Sequence, residues 1–235
     1  MPVKYATPTG GTSKLSQLQE QHSDRLLSVL TMLLILLLFV VAPFQAAGII
    51  AFDAFGVVVA LVMVASVLVI SGSPMLTVIM LAAFALNVVV AVARLVSPLP
   101  YDLYLVAAAW FIIVCVLGTV VARRVFSRGI VNYHRIVGAV LLYMLIAVAF
   151  VTLFLLVGLW VPNAFNGLAF EDNQKLSSGL IYFSFVTLTS TGYGDIYPVH
   201  PVARSLCNLE TIIGQLYPAT LLARLVSLEI ESRRQ

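Results

Sequence analysis

Charge is what this chain has least of. Only 10% of its 235 residues are charged, against 61% hydrophobic. A soluble domain carries roughly 25% charged residues, so this balance excludes one and calls for a membrane protein. Cysteine is nearly absent as well. Cys115 and Cys207 each lie inside an apolar run, which excludes a disulfide framework and reads as two small buried hydrophobes. The net charge is +3 and no soluble basic module is present, so nucleic acid is not an expected partner. There is no nucleophile–base grouping, metal-spaced cluster or phosphate loop, which leaves an enzyme reading without support and no organic cofactor expected.

Long apolar runs are what the chain does have. Residues 1–24 are polar and of mixed charge (Lys4, Lys14, Glu20, His22, Asp24), too long and too acidic for the head of a secretory signal. They are expected to form a cytosolic tail. Apolar runs then cover about 26–41, 46–70, 75–96, 103–122, 136–160 and 202–228. At about 1.5 Å per residue, such runs match a hydrocarbon core of about 30 Å, the first with help from its flanks. Pro43 is expected to end the first run. Ser71-Gly72-Ser73-Pro74 and Ser97-Pro98-Leu99-Pro100 punctuate the next two as turns. The expected fold class is all-α: six transmembrane helices, with 25–122 a four-helix peripheral membrane domain, 123–135 a basic linker and 229–235 a short cytosolic tail.

A different kind of segment separates the fifth and sixth runs. Residues 161–175 are polar and turn-rich; 176–189 are amphipathic and too short to span, which suits a re-entrant helix capped by Ser177 or Ser178. That helix runs straight into Thr187-Leu-Thr-Ser-Thr-Gly-Tyr-Gly-Asp195. Gly192 and Gly194 can adopt left-handed backbone angles. Alternation of hand turns successive carbonyls the same way, and a row of such oxygens can replace a cation's water shell. Irregular backbone at membrane depth is tolerated only in protein or beside a wet cavity, which a re-entrant helix and glycine stretch provide.

Loop charges set the orientation. Arg123, Arg124, Arg128 and Arg135 share one short connection, which is therefore expected on the cytosolic side. Four spans before it and two after it put both termini in the cytosol, where Arg224, Arg233 and Arg234 fit. Asp195 then faces outward, in a multi-pass protein of the plasma or inner cell membrane.

Ser190-Thr191-Gly192-Tyr193-Gly194 resembles the selectivity filter of potassium channels, whose usual core is Thr-Val-Gly-Tyr-Gly. Asp195-Ile196-Tyr197-Pro198 follows it as in many family members. The resemblance covers residues 136–228 as a pore domain: outer helix, pore helix 176–189, filter 190–194 and inner helix 202–228. It implies passive potassium conduction through backbone carbonyls of Ser190, Thr191, Gly192 and Tyr193 and the Ser190 hydroxyl, completed at Gly194. It implies a homotetramer, since one chain supplies one strand of the ring, with K+ ions bound in the filter. Thr187, Thr189, Asp195, Tyr182 and Glu210 become candidate filter supports. Tyr197 takes the place of an outer-mouth aromatic, where cation–π attraction would hold tetraethylammonium. His200 nearby reads as a solvated surface residue. Gly214 takes the place of the flexible point of the gating helix; its other reading is a close helix contact. Pro218, one turn on, should add a bend. Four departures stand out. Ser190 lacks the usual methyl, Thr191 adds a hydroxyl that needs a partner, and Val186 and Phe183 replace groups that commonly bond to the acidic residue.

The first four spans resemble the peripheral segments of six-span channels in number alone. A voltage sensor needs regularly spaced arginines, and residues 104–122 contain none, so strong voltage gating is not expected. Asp53 and Arg94, at similar depths, are proposed as a structural ion pair. Asn87 reads as an interhelical hydrogen bonder. Glu210 faces either the pore helix, the favoured reading, or the cavity. Two alternatives stay open: a weakly selective cation channel, and a subunit of a potassium uptake transporter, a class that usually carries four degenerate filter stretches where this chain has one. The residues after 228 are too few for a ligand-binding domain; a separate regulatory subunit stays open.

Overall fold

The computed structural model describes residues 28–49, 60, 63–64, 73–96, 101–126 and 133–232. Most of these are helical. Helix α1 runs over Ser28–Ala46. It does not end at Pro43 as expected. Leu37–Val41 widen into a π turn just before the proline, and the helix continues through Ala42–Ala46. A proline donates no N–H and crowds the carbonyl one turn earlier, and a π turn absorbs both defects.

Helices α2 (Pro74–Val96), α3 (Asp102–Val125) and α4 (Tyr133–Trp160) pack in sequence against one another. The last turn of α3 carries Arg123 and Arg124, where cations complement the helix dipole, and it runs a few residues past the expected end. Among the described residues, Ser28–Ala46, Pro74–Arg94, Asp102–Val125 and Ile136–Trp160 are long and apolar enough to cross a membrane. The chain is an all-α membrane protein. The expected tail at 1–24, most of the second run at 46–70 with Asp53, and Arg128 of the basic linker lie outside the described residues.

The remaining elements form one unit with α4. Strand β1 (Phe165–Asn166) follows α4, then α5 (Gln174–Leu188), β2 (Tyr197–Pro198) and the long α6 (Pro201–Ser232). The two strands are antiparallel, with Phe165 opposite Pro198 and Asn166 opposite Tyr197. They staple the turn after α4 to the segment after the glycine stretch. Val199 N adds a bond to Ala164 O at 2.8 Å.

Two apolar cores hold this arrangement. One gathers Leu30, Met80, Ile113, Leu117, Leu141 and Leu145 from α1 to α4. The other surrounds α5 with Phe150, Phe154, Phe165, Leu180 and Phe183. Phe183 centres the second, its ring 5.0 Å from Phe154 and 5.6 Å from Phe165. Of the two cysteines only Cys207 is buried; Cys115 is exposed, against the expectation that both are, and neither is in a disulfide.

Candidate functional site

The site begins with the cap of α5. Asn173, in extended backbone, accepts the Leu176 N–H on its Oδ1 at 2.9 Å. Ser177 and Ser178 are not the cap. They fall inside the first turns, because Asn173 satisfies the orphan amides earlier in the chain. Leu176, Leu180, Phe183, Ser184 and Leu188 then line the buried face of α5 at helical spacing.

Past Thr189 the backbone alternates. Ser190, Gly192 and Gly194 take φ of 58°, 59° and 83°, so every second residue is left-handed. The amides turn back toward α5. Ser190 N donates to Thr187 O at 3.0 Å, and Thr191 N and Gly192 N donate to Val186 O at 2.9 and 3.4 Å. In a trans peptide the carbonyl points opposite to the following N–H. The carbonyls of Thr189, Ser190 and Thr191 therefore point away from α5, in one direction. A Cβ built on Gly192 or Gly194 would meet nothing within 4 Å, so the backbone is uncrowded at both glycines.

The threonine and serine hydroxyls along this stretch each have a partner. Thr189 Oγ1 donates to Phe185 O at 2.7 Å, which commits its proton. Thr191 Oγ1, 2.8 Å from Thr189 Oγ1, is therefore the donor of that pair. This answers the need created by Thr191. Thr187 Oγ1 donates to Phe183 O at 2.8 Å. Thr187 O also accepts from Thr211 Oγ1 at 3.4 Å. Ser190 Oγ accepts from Gln215 Nε2 at 2.7 Å.

At the other end, Tyr182 Oη donates to Asp195 Oδ1 at 3.0 Å. The Tyr193 ring lies parallel to the Tyr182 ring, centroids 6.3 Å apart. Phe183, turned into the aromatic core, has no donor to offer Asp195. Gly167 sits at φ 83°, and a Cβ there would lie 2.3 Å from Asp195 O, so only glycine permits this contact. Asn166 Nδ2 donates to Tyr197 Oη, fixing the tip of that ring across the β1–β2 pair. His200 is more than a surface residue: its Nδ1 accepts from Val202 N at 3.3 Å and caps α6, which opens on Pro201.

The third wall is α6. At Gly214 a Cβ would lie 1.9 Å from Leu188 O, so the backbones of α5 and α6 meet here. The same carbonyl accepts from Tyr143 Oη of α4 at 3.4 Å. Helix α6 continues through Pro218, whose missing N–H is the one that Gly214 O would normally receive. Tyr217 Oη donates to Ala139 O at 2.8 Å. Glu210 faces α5. It is fully buried, with Oε1 2.5 Å from Ser184 Oγ; the same oxygen lies 2.9 Å from Ala147 O, and its single proton serves one of the two at a time. Tyr182 is not its partner. Three helices, α4, α5 and α6, thus meet at one buried hydroxyl.

Arg94 is paired, with residues of α3 and the loop before α5. Its Nε lies 2.9 Å from Asp102 Oδ2 and its Nη1 3.3 Å from Asp172 Oδ2. Asp53, the partner expected from sequence, lies outside the described residues. Asn87 is buried, but its Nδ2 finds no hydrogen-bond partner among the described residues.

Sequence reasoning passed over Asn173, Ser184, Gln215, Asn166 and Gly167. Asn173 carried a visible signal, an amide residue just before an amphipathic run. Ser184 and Gln215 were polar residues in apolar helices, a pattern that asks for a buried partner. Asn166 and Gly167 gave no signal beyond turn composition.

Residues 140–230 match the model of a family described as ion channel. This covers most of α4 and α6 with α5 and the glycine stretch between them, and supports an ion-channel family and a role in ion transport rather than catalysis. Protein LctB of Bacillus caldotenax is 35% identical over 65 residues, 28% of this chain. The chain spans 45% of that protein's length. No solved structure matches the chain.

Proposed function

We propose that the chain is one subunit of a homotetrameric potassium channel that conducts K+ passively down its gradient. One observation carries this reading. The carbonyls of Thr189, Ser190 and Thr191 share a direction, away from α5, because the amides of Ser190, Thr191 and Gly192 are held by Thr187 O and Val186 O. A single strand of oxygens cannot enclose an ion, and the known filters of this kind use four. Four copies, related by an axis beside Ser190–Gly194, would close rings of carbonyls around K+, the only bound species proposed. Tyr182 with Asp195, and Thr189 with Thr191, brace the strand from behind. Gly214 and Pro218 form the bend of the gating helix.

The surrounding frame follows from the same reading: six spans in a cell membrane, both termini cytosolic, the Asp195 end facing out, and no steep voltage gating. A weakly selective cation channel is the second reading, favoured by the missing methyl at Ser190. Purified protein in liposomes, with reversal potentials measured in potassium and sodium gradients, separates the two. Strong preference for potassium is expected. Equal permeability to sodium selects the second reading, and no cation flux at all refutes both.

A further inference from the structure

Ser190 has a freedom that a β-branched residue at its position would not have. Two heavy atoms on Cβ confine χ1 by sterics alone; serine has one, and its hydroxyl can rotate among three wells. Something else has to hold it if it is to serve as an oriented ligand. The hydroxyl's partner is Gln215 Nε2, at 2.7 Å. Gln215 is within reach because its neighbour Gly214 has no side chain and lets α6 approach the Leu188 carbonyl, where a Cβ would stand at 1.9 Å. A serine oxygen has two lone pairs and one proton. A donated N–H fills one lone pair and leaves the other free for a cation.

We infer that Gln215 is a positioning residue for the innermost ring of ion ligands. Its amide sets the Ser190 rotamer in place of the absent methyl and ties the inner end of the strand to α6. The inference rests on the channel reading above. It adds that the selectivity of the innermost position depends on a side chain of the gating helix.

Barium is a suitable probe, since it is close to potassium in size and carries twice the charge, so it responds strongly to oxygen placement. The full chain is recorded in bilayers, and block by barium from the cytosolic side is titrated at fixed potassium. Gln215→Met, near in shape but without a donor, should weaken block about tenfold, equivalent to about 1.4 kcal/mol. Ser190→Ala should weaken it similarly. In the Ser190→Ala background, Gln215→Met should change nothing further, because the group through which it acts is gone. If the two effects multiply, Gln215 acts independently of Ser190 and the inference is wrong. It is also wrong if Gln215→Met blocks like the parent. Gln215→Asn keeps polarity but is one methylene too short to reach; it should behave like Gln215→Met, and parental behaviour would count against the tether. A parent protein that passes no cations would remove the channel reading itself. A potassium-selective parent with multiplicative effects would remove this inference alone.

Discussion

Gly214→Ala separates two ideas about the inner helix. If the glycine serves only as a flexible joint, alanine should raise helix stability by up to about 1 kcal/mol. The packing says otherwise. The added carbon would stand 1.9 Å from the Leu188 carbonyl oxygen and 2.8 Å from its carbon. Both are backbone atoms at the end of α5, unable to rotate aside, so α6 has to retreat by about 1.5 Å to regain van der Waals contact. That displacement stretches the Gln215–Ser190 bond from 2.7 Å and the Thr211–Thr187 bond from 3.4 Å beyond useful length. Overpacking of this kind costs about 1–3 kcal/mol. Set against the gain in helix propensity, the net loss with the two bonds is about 2 kcal/mol. For a chain of this size that lowers Tm by about 4–8 °C. Thermal unfolding of the detergent-purified protein, followed by near-ultraviolet circular dichroism, measures it. An alanine variant as stable as the parent, or more so, with parental conduction would refute the close-contact argument and leave flexibility as the glycine's role.

Three further outcomes follow from the geometry. Asn173→Ala removes the α5 cap and should cost about 1 kcal/mol, whereas Asn173→Asp or Asn173→Ser should keep most of it; comparative unfolding of the three variants checks this. Glu210→Ala opens a cavity and strips a partner from the buried Ser184 hydroxyl, a loss of about 2–4 kcal/mol. Glu210→Gln preserves shape and a hydrogen bond to Ser184 and should stay within about 1 kcal/mol of the parent; equal destabilisation of both would mean the carboxyl's charge is required. In the proposed tetramer, external tetraethylammonium should block conduction, and Tyr197→Val should weaken that block several-fold; block unchanged by the substitution would show that the Tyr197 rings do not meet the blocker.

The chain's own order of residues determined a good deal. Scarce charge and long apolar runs required a bilayer and helices, because buried backbone without water must bond within its own segment. Gly192 and Gly194 announced left-handed backbone, and α5 and α6 were legible to within a few residues from hydropathy and turn composition. Tyr182 could be named as a candidate donor to Asp195 through the resemblance, as the hydroxyl-bearing neighbour of Phe183, which takes the place of a common donor.

Tertiary packing decided the rest, because it depends on contacts between residues far apart in sequence. Periodicity cannot tell that Pro43 would be absorbed by a π turn, for that depends on α1 being held on both sides of it. Nor can it choose a partner for Arg94: two aspartates, Asp102 and Asp172, come from separate segments that only the fold brings together. Gly214 had two readings in the sequence, and the Leu188 carbonyl against it shows the close contact. Ser190 at φ 58° and the reach of Gln215 across to it depend on how closely α6 approaches α5. That distance is set by a side chain glycine does not have, facing a carbonyl 26 residues earlier in the chain.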